Sequence, residues 1–169
     1  PGFWPRVGAA ARGAGALIVF DEIPTGLGKT GRLFACEHTG VTPDILVLGK
    51  ALGGGVLPLA AVLVRADLDV APELALGHYT HEKNPVLAAA ALATLDVIEN
   101  EGLVENAAAL GEYALARLQE IAASRRCVGE VRGQGLLIGV ELVGADGAPA
   151  ARFAERFLYQ ALARGSSFK

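Results

Sequence analysis

The 169-residue sequence contains no methionine, one tryptophan and two cysteines, and aromatic residues make up only 6% of it. Cys36 and Cys127 make no disulfide framework, which points to a reducing compartment such as the cytoplasm. Each reads most simply as a small buried hydrophobe. Charge of one sign is also lacking. Fifteen basic residues face 18 acidic ones, for a net charge of −3, so nothing suggests nucleic acid or an anionic membrane surface. No apolar run approaches the roughly 18–20 residues that cross a bilayer. The opening Pro-Gly-Phe-Trp-Pro-Arg lacks a basic-then-apolar signal pattern. What remains is an apolar chain, 52% hydrophobic, long enough for one ordinary domain or parts of two.

Its apolar residues are patterned. Arg6 to Gly13 is Ala-rich and predicts a short helix. Ala16 to Phe20 and Ile45 to Leu48 are continuous apolar runs, as expected for strands buried on both faces of a parallel sheet. Pro58 to Val64 predicts a third strand, reached through Gly53-Gly54-Gly55. Asn84-Pro85 opens a helix, Asn as N-cap and Pro at the first helical position, running to about Asn100. A second helix is expected over about Val104 to Ser124, where Leu103, Ala107, Leu110, Ala114, Leu118 and Ile121 share a face. Leu136 to Val143 predicts a strand, Ala145-Asp146-Gly147 a turn, and Ala150 to Arg164 a third long helix carrying Phe153 and Phe157 one turn apart. Gly165 to Lys169 reads as the start of a strand that stops before it can pair. With the missing methionine and the abrupt opening, it suggests a piece of a larger fold. The order of elements predicts an α/β layer over residues 1–100 and a smaller α+β piece over 101–169.

Two stretches invite a chemical reading. Gly28-Lys29-Thr30 resembles the end of a phosphate-binding loop, in which backbone N–H groups and a lysine cradle phosphates and a hydroxyl holds magnesium. The pattern wants a glycine where Ile23 stands, and a metal-binding acid on a later strand, whereas Asp21-Glu22 comes directly before the loop. A P-loop ATPase is therefore the weak alternative from a different class. The stronger pair is Asp21 and Lys50, each closing an apolar strand. A lysine can form a Schiff base with an aldehyde cofactor and afterwards move a proton. A carboxylate within hydrogen-bond reach keeps a pyridine nitrogen protonated, so that the ring withdraws electrons. That pairing is the chemistry of pyridoxal 5'-phosphate (PLP). On spacing alone, a capping Asp and a solvated Lys explain the residues equally well.

The wider text changes this balance. Leu17 to Gly31 (LIVFDEIPTGLGKTG), Phe34 to His38 (FACEH), Gly40 to Ile45 (GVTPDI) and Leu48 to Gly55 (LGKALGGG) resemble the class III aminotransferases. That family includes the ornithine, acetylornithine, 4-aminobutyrate and putrescine aminotransferases. The likeness continues through Thr80, Asn84-Pro85 and Val131 to Leu142 (VRGQGLLIGVEL), and so spans nearly the whole chain. The resemblance implies a PLP-dependent transferase of fold type I. This chain would supply the C-terminal half of its large domain and the start of its small C-terminal domain. Lys50 would be the Schiff-base lysine and Asp21 the pyridinium partner. Ile23 would pack on the ring face. Thr80 would bind the phosphate of the neighbouring protomer in a homodimer. Asn84 is better explained as a helix cap, and Arg132 as structural. The substrates implied are an amino acid or ω-amine and a 2-oxo acid. The upstream loop and stacking aromatic of the family have no counterpart here, so weak cofactor binding and exposed apolar strand surface are expected of the isolated chain.

Two departures lie near the expected chemistry. Pro24 stands where the family has a polar residue able to reach the cofactor's phenolic oxygen. His81-Glu82-Lys83 replaces an aromatic and two glycines before Asn84. His78 and His81 lack an acidic or cysteine partner, so no metal site is expected. Some relatives in the family eliminate ammonia or phosphate, which keeps a PLP-dependent lyase as an alternative. A non-catalytic scaffold is a further one, but a scaffold needs neither Asp21 nor Lys50.

Overall fold

The computed structural model describes residues 2–71, 73–74 and 80–167. The chain divides into two compact units, Pro1–Ala108 and Ala109–Lys169.

The first unit opens with helix α1, Phe3–Gly13. Three strands follow: β1, Val19–Asp21; β2, Ile45–Leu48; and β3, Ala61–Val64. They form one sheet in the order β1-β2-β3. β1 and β2 are parallel, with Val19 opposite Ile45 and Asp21 opposite Val47. β3 returns antiparallel to β2, with Leu48 opposite Ala61. The link from β2 to β3 is a glycine-rich turn with no crossover helix, and such a link forces antiparallel pairing. The sheet is therefore mixed, where the apolar runs predicted a parallel one.

Alternation gives the sheet two unlike faces. Phe20, Leu46, Leu48 and Ala61 lie on the packed face. Leu46, Leu48 and Leu52 form the buried core there, with Leu27, Phe34, Leu59 and Ala91 against it. Trp4 of α1 meets Phe20 edge-to-face at 5.2 Å. Val19, Asp21, Val62 and Val64 occupy the other face and are exposed; Val19 retains 54% of its accessible surface and Val62 60%. The expectation of burial on both faces fails for this reason, while that of exposed apolar strand surface is met.

Helix α2, Pro85–Asn100, begins as the sequence predicts, with the Asn84 side chain accepting the Val86 N–H at 2.9 Å. Ala91 of α2 packs on the Leu52 cluster, and a Cβ at Gly54 would sit 3.1 Å from Thr94 Oγ1. The helix thus braces the turn that follows β2. Helix α3 covers Leu103–Ala123. Its early residues meet the glycine loop, where a Cβ at Gly31 would lie 2.9 Å from Ala108 Cβ.

The second unit contains the rest of α3, a hairpin and helix α4, Ala151–Leu162. The hairpin pairs β4, Val128–Gln134, with β5, Leu137–Leu142, antiparallel across a tight turn at Gly135-Leu136. β4 escapes the sequence reading. Its register shifts between Val128 and Val131, a bulge that breaks the two-residue period by which strands are recognised. Ala154, Leu158 and Ala161 are the half-buried residues of α4, whereas Phe153 and Phe157 stay nearly half exposed. Gly165 ends the helical stretch with φ 81°, and Ser166 N–H returns to the Ala161 carbonyl at 2.9 Å. Ser166 and Ser167 belong to no strand, and the final two residues lie outside those described.

Candidate active site

Asp21 is the last residue of β1 and points to the open face of the sheet. Glu22 N–H continues the ladder, donating to the Val47 carbonyl at 2.9 Å, so the register persists past Asp21. Asp21 Oδ1 accepts the Ile23 N–H at 3.0 Å, a local turn that draws the chain away from the strand. Lys50 follows β2 by two positions, so acid and lysine stand at the carboxyl ends of adjacent parallel strands. Open α/β sheets bind their ligands at those ends.

Gly49 and Lys50 form the junction. A Cβ on Gly49 would lie 3.4 Å from Ile23 Cγ1, so the Ile23 side chain rests on the backbone beside Lys50. Lys50 itself has φ 47°, the left-handed region that a side-chain-bearing residue enters at a cost. Strain of this kind persists where the surroundings enforce it, and it gathers at functional positions. Lys50 and Asp21 are both exposed. The structure thus brings Asp21, Ile23 and Lys50 to one end of the sheet. Thr80 is exposed in the turn before α2. The Schiff-base chemistry asks for a reachable amine and a carboxylate on one accessible edge, and these residues fit PLP in that respect.

The sequence reading missed Glu22. Alternation turns its side chain away from Asp21 and into the protein, where it is only 3% exposed. Its carboxylate accepts the N–H of Ala35 at 2.7 Å, the N–H of Cys36 at 2.6 Å and the Thr25 hydroxyl at 3.3 Å. Its carbonyl accepts Gly26 N–H at 2.9 Å. Three charge-assisted donors satisfy the buried carboxylate. The Cys36 thiol beside it is pushed up to about 11, first by burial and then by its hydrogen bond to Glu22 and the negative charge there.

The phosphate-loop alternative does not survive the geometry. No α-helix begins at Thr30; residues 31–34 form a bend, followed by a short 3-10 turn at Ala35–Thr39. Thr30 is 3% exposed, and its Oγ1 lies 3.1 Å from His38 Nε2, so the hydroxyl faces a histidine inside the loop. A separate cavity of about 920 Å³ lies on the packed face, among Phe34, Leu48, Leu63, Leu87 and Leu92. Asp21, Ile23 and Lys50 do not line it.

Of the two departures, Pro24 is exposed in the turn after Ile23. Lys83 Nζ lies 3.8 Å from Glu82 Oε1 and remains largely in solvent. His78 lies outside the described residues.

A parallel β1-β2 pair ending in Asp21 and Lys50, with an antiparallel β3 beside it, is part of the fold type I architecture of PLP-dependent transferases. Comparison with known proteins narrows this. The family model for aminotransferase class-III matches residues 1–167. The chain belongs to the class III aminotransferase family. It is 40% identical over 169 residues to the (R)-1-hydroxy-2-aminoethylphosphonate ammonia-lyase of Vibrio splendidus, covering 99% of this chain and 35% of that protein. It is 45% identical over 150 residues to the diaminobutyrate–2-oxoglutarate aminotransferase of Rhizobium meliloti, covering 88% of this chain and 31% of the relative. Among solved structures, an amine transaminase from an uncultivated Pseudomonas species in its PLP-bound form superposes with a TM-score of 0.91 at 33% identity, over 99% of this chain and 40% of that one. The chain spans about a third of the length of the curated relatives it matches.

Proposed function

We propose that this chain carries the lysine and the ring-nitrogen acid of a PLP-dependent transaminase, moving an amino group from an amino acid or ω-amine to a 2-oxo acid. The observation that carries the reading is the placement of Asp21 and Lys50 at the carboxyl ends of adjacent parallel strands. PLP, when bound, supplies an aldehyde for attachment and a ring that withdraws electrons.

The residues divide the remaining work. Lys50 Nζ is the attachment point, and once free it accepts a proton from the substrate carbon and returns it elsewhere. The Asp21 carboxylate holds the proton on the ring nitrogen. Ile23, held against Gly49, would present its apolar face to the ring and exclude water. The Thr80 hydroxyl would donate to the cofactor phosphate of a neighbouring protomer. Helix α2 supports a homodimer: it is apolar nearly all round and exposes Val86, Leu92 and Val97. Residues 1–100 belong to the large cofactor-binding domain and 101–169 to the small domain. Among the described residues no helix is long and apolar enough to cross a membrane, and the two free cysteines suit a cytoplasmic enzyme.

A second reading shares every one of these groups. The ammonia-lyase relative matches 99% of the chain, so elimination of ammonia from a small amino compound is the alternative outcome. The test uses the protein at its native length, purified with PLP, reduced with borohydride and mapped by peptide mass. A pyridoxyl group on Lys50, absent from Lys50→Ala, is the expected result; an unmodified Lys50 in folded protein overturns the reading. Amino-group transfer that requires a 2-oxo acid then separates the transaminase from a lyase, which releases ammonia without an acceptor.

A further inference from the structure

We propose that Glu22 is the positioning residue for Asp21, setting through its buried carboxylate the direction in which the ring-nitrogen acid points. The inference rests on the functional reading above and adds a residue to it.

β1 is short, Val19–Asp21, and Asp21 is its exposed last residue. The hydrogen bond from Ile23 N–H is local and moves with the turn. The β1–β2 ladder holds the backbone up to Asp21, opposite Val47, and beyond it the next residue takes over. Glu22 is held from three sides. Its N–H is on the Val47 carbonyl of β2. Its carbonyl closes the turn to Gly26, where an added Cβ would stand 3.0 Å from that oxygen. Its side chain gathers the N–H groups of Ala35 and Cys36 and the Thr25 hydroxyl. Successive strand residues face opposite ways, so an anchor on Glu22 fixes the opposite direction for Asp21.

The substitution Glu22→Gln is informative because a carboxamide has one acceptor oxygen and an NH2 group. It cannot accept from Ala35 and Cys36 together, and one peptide N–H is left facing another donor. Glu22→Asp keeps the charge but loses the reach of one methylene. The shift of Asp21 that follows is small in distance, and misplacement by about an ångström costs on the order of 10²-fold in rate.

The test uses the protein at its native length, loaded with PLP, as wild type, Glu22→Gln, Glu22→Asp, Thr25→Val and Asp21→Asn. Four quantities are read: the visible spectrum against pH, the dissociation constant for PLP, kcat and KM for the amino donor, and the labelling rate of Cys36. Glu22→Gln is expected to shift the pH titration of the visible band in the same direction as Asp21→Asn. It should weaken PLP at least about tenfold and lower kcat by about 10²-fold with KM near wild type. Cys36 should label faster as the clamp opens. Thr25→Val removes one of the three donors without disturbing the peptide groups, and is expected to move the spectrum the same way by a smaller amount. It keeps the proposal testable should the Glu22 variants fail to fold. A variant that frees Cys36 while the titration and kcat stay at wild-type values overturns the positioning role. Wild-type protein that places no pyridoxyl group on Lys50 overturns the functional reading and this inference together, and is recognised without any Glu22 variant.

Discussion

The Glu22 carboxylate and the Cys36 N–H are 2.6 Å apart, a charge-assisted contact between the end of β1 and a turn well downstream in sequence. Burial first, and then the hydrogen bond to Glu22 and its negative charge, raise the Cys36 thiol from 9.0 to about 11. The thiolate is the reactive form, so Cys36 should resist iodoacetamide at pH 8. The rate at Cys36 should climb only as pH approaches 11. Because the folded thiol binds its proton more tightly than the unfolded one, this contribution to stability is complete below about pH 9 and is lost as pH rises through 11. Peptide mapping of the alkylated cysteines across pH 7–11 checks the labelling, and denaturant unfolding over the same range checks the stability. Rapid labelling of Cys36 in folded protein at pH 8 contradicts them.

Lys50 adopts φ 47° directly after Gly49. A left-handed non-glycine residue costs roughly 1–2 kcal/mol, and glycine recovers this less its own extra chain entropy of roughly 0.5–1 kcal/mol. Lys50→Gly should therefore stabilise the fold slightly, by about 0.5 kcal/mol, while removing the amine on which the proposed chemistry depends. Lys50→Ala keeps the strain and loses the amine. Urea denaturation of both variants, beside wild type, gives the comparison. A Gly form less stable than the Ala form by the full chain-entropy difference, roughly 0.5–1 kcal/mol, would show that the backbone at this position carries no strain.

Much of this site can be read in the text because its physics is local. Apolar runs ending in Asp21 and Lys50 mark β1 and β2, and a strand end is where a side chain can leave the core. Asn84-Pro85 announces α2 because cap and first-turn proline act on their own neighbours. Glu22 is illegible for the opposite reason. Its partners are backbone N–H groups 13 and 14 residues away, and a peptide N–H has no sequence signature. The sense of β3 was also hidden, since an apolar run is the same for a parallel and an antiparallel neighbour. β4 was lost to its bulge, which sets Val128 and Val131 out of the two-residue period.

Asn84 accepts the Val86 N–H at 2.9 Å and caps α2, the helix that braces the turn carrying Lys50. Replacing an N-cap Asn with Ala costs typically about 1 kcal/mol, and with Gly only a few tenths. Asn84→Ala should lower the unfolding midpoint accordingly, and Asn84→Asp should restore it, since an aspartate accepts the same N–H and adds a favourable charge at the helix start. Denaturant titrations of the two variants beside wild type order them. A cap role is excluded if Asn84→Asp is as destabilised as Asn84→Ala.

Gly111 tests the second unit. A Cβ placed there would stand 2.3 Å from the carbonyl carbon and oxygen of Gly135, at the tight turn between β4 and β5. Those atoms are backbone and cannot rotate aside, so the helix and the hairpin turn must part. Overpacking typically costs roughly 1–3 kcal/mol, and a clash with main chain belongs at or above the upper end. Gly13→Ala is the matched control. No atom would lie within 4 Å of its Cβ, and it closes α1, where exchanging glycine for alanine gains roughly 0.5–1 kcal/mol. Helix propensity alone would make both substitutions stabilising, so opposite signs isolate the close approach of α3 to Gly135. Thermal unfolding followed by far-ultraviolet circular dichroism supplies the signs. If Gly111→Ala matched Gly13→Ala, the contact between Gly111 and Gly135 would not exist in solution.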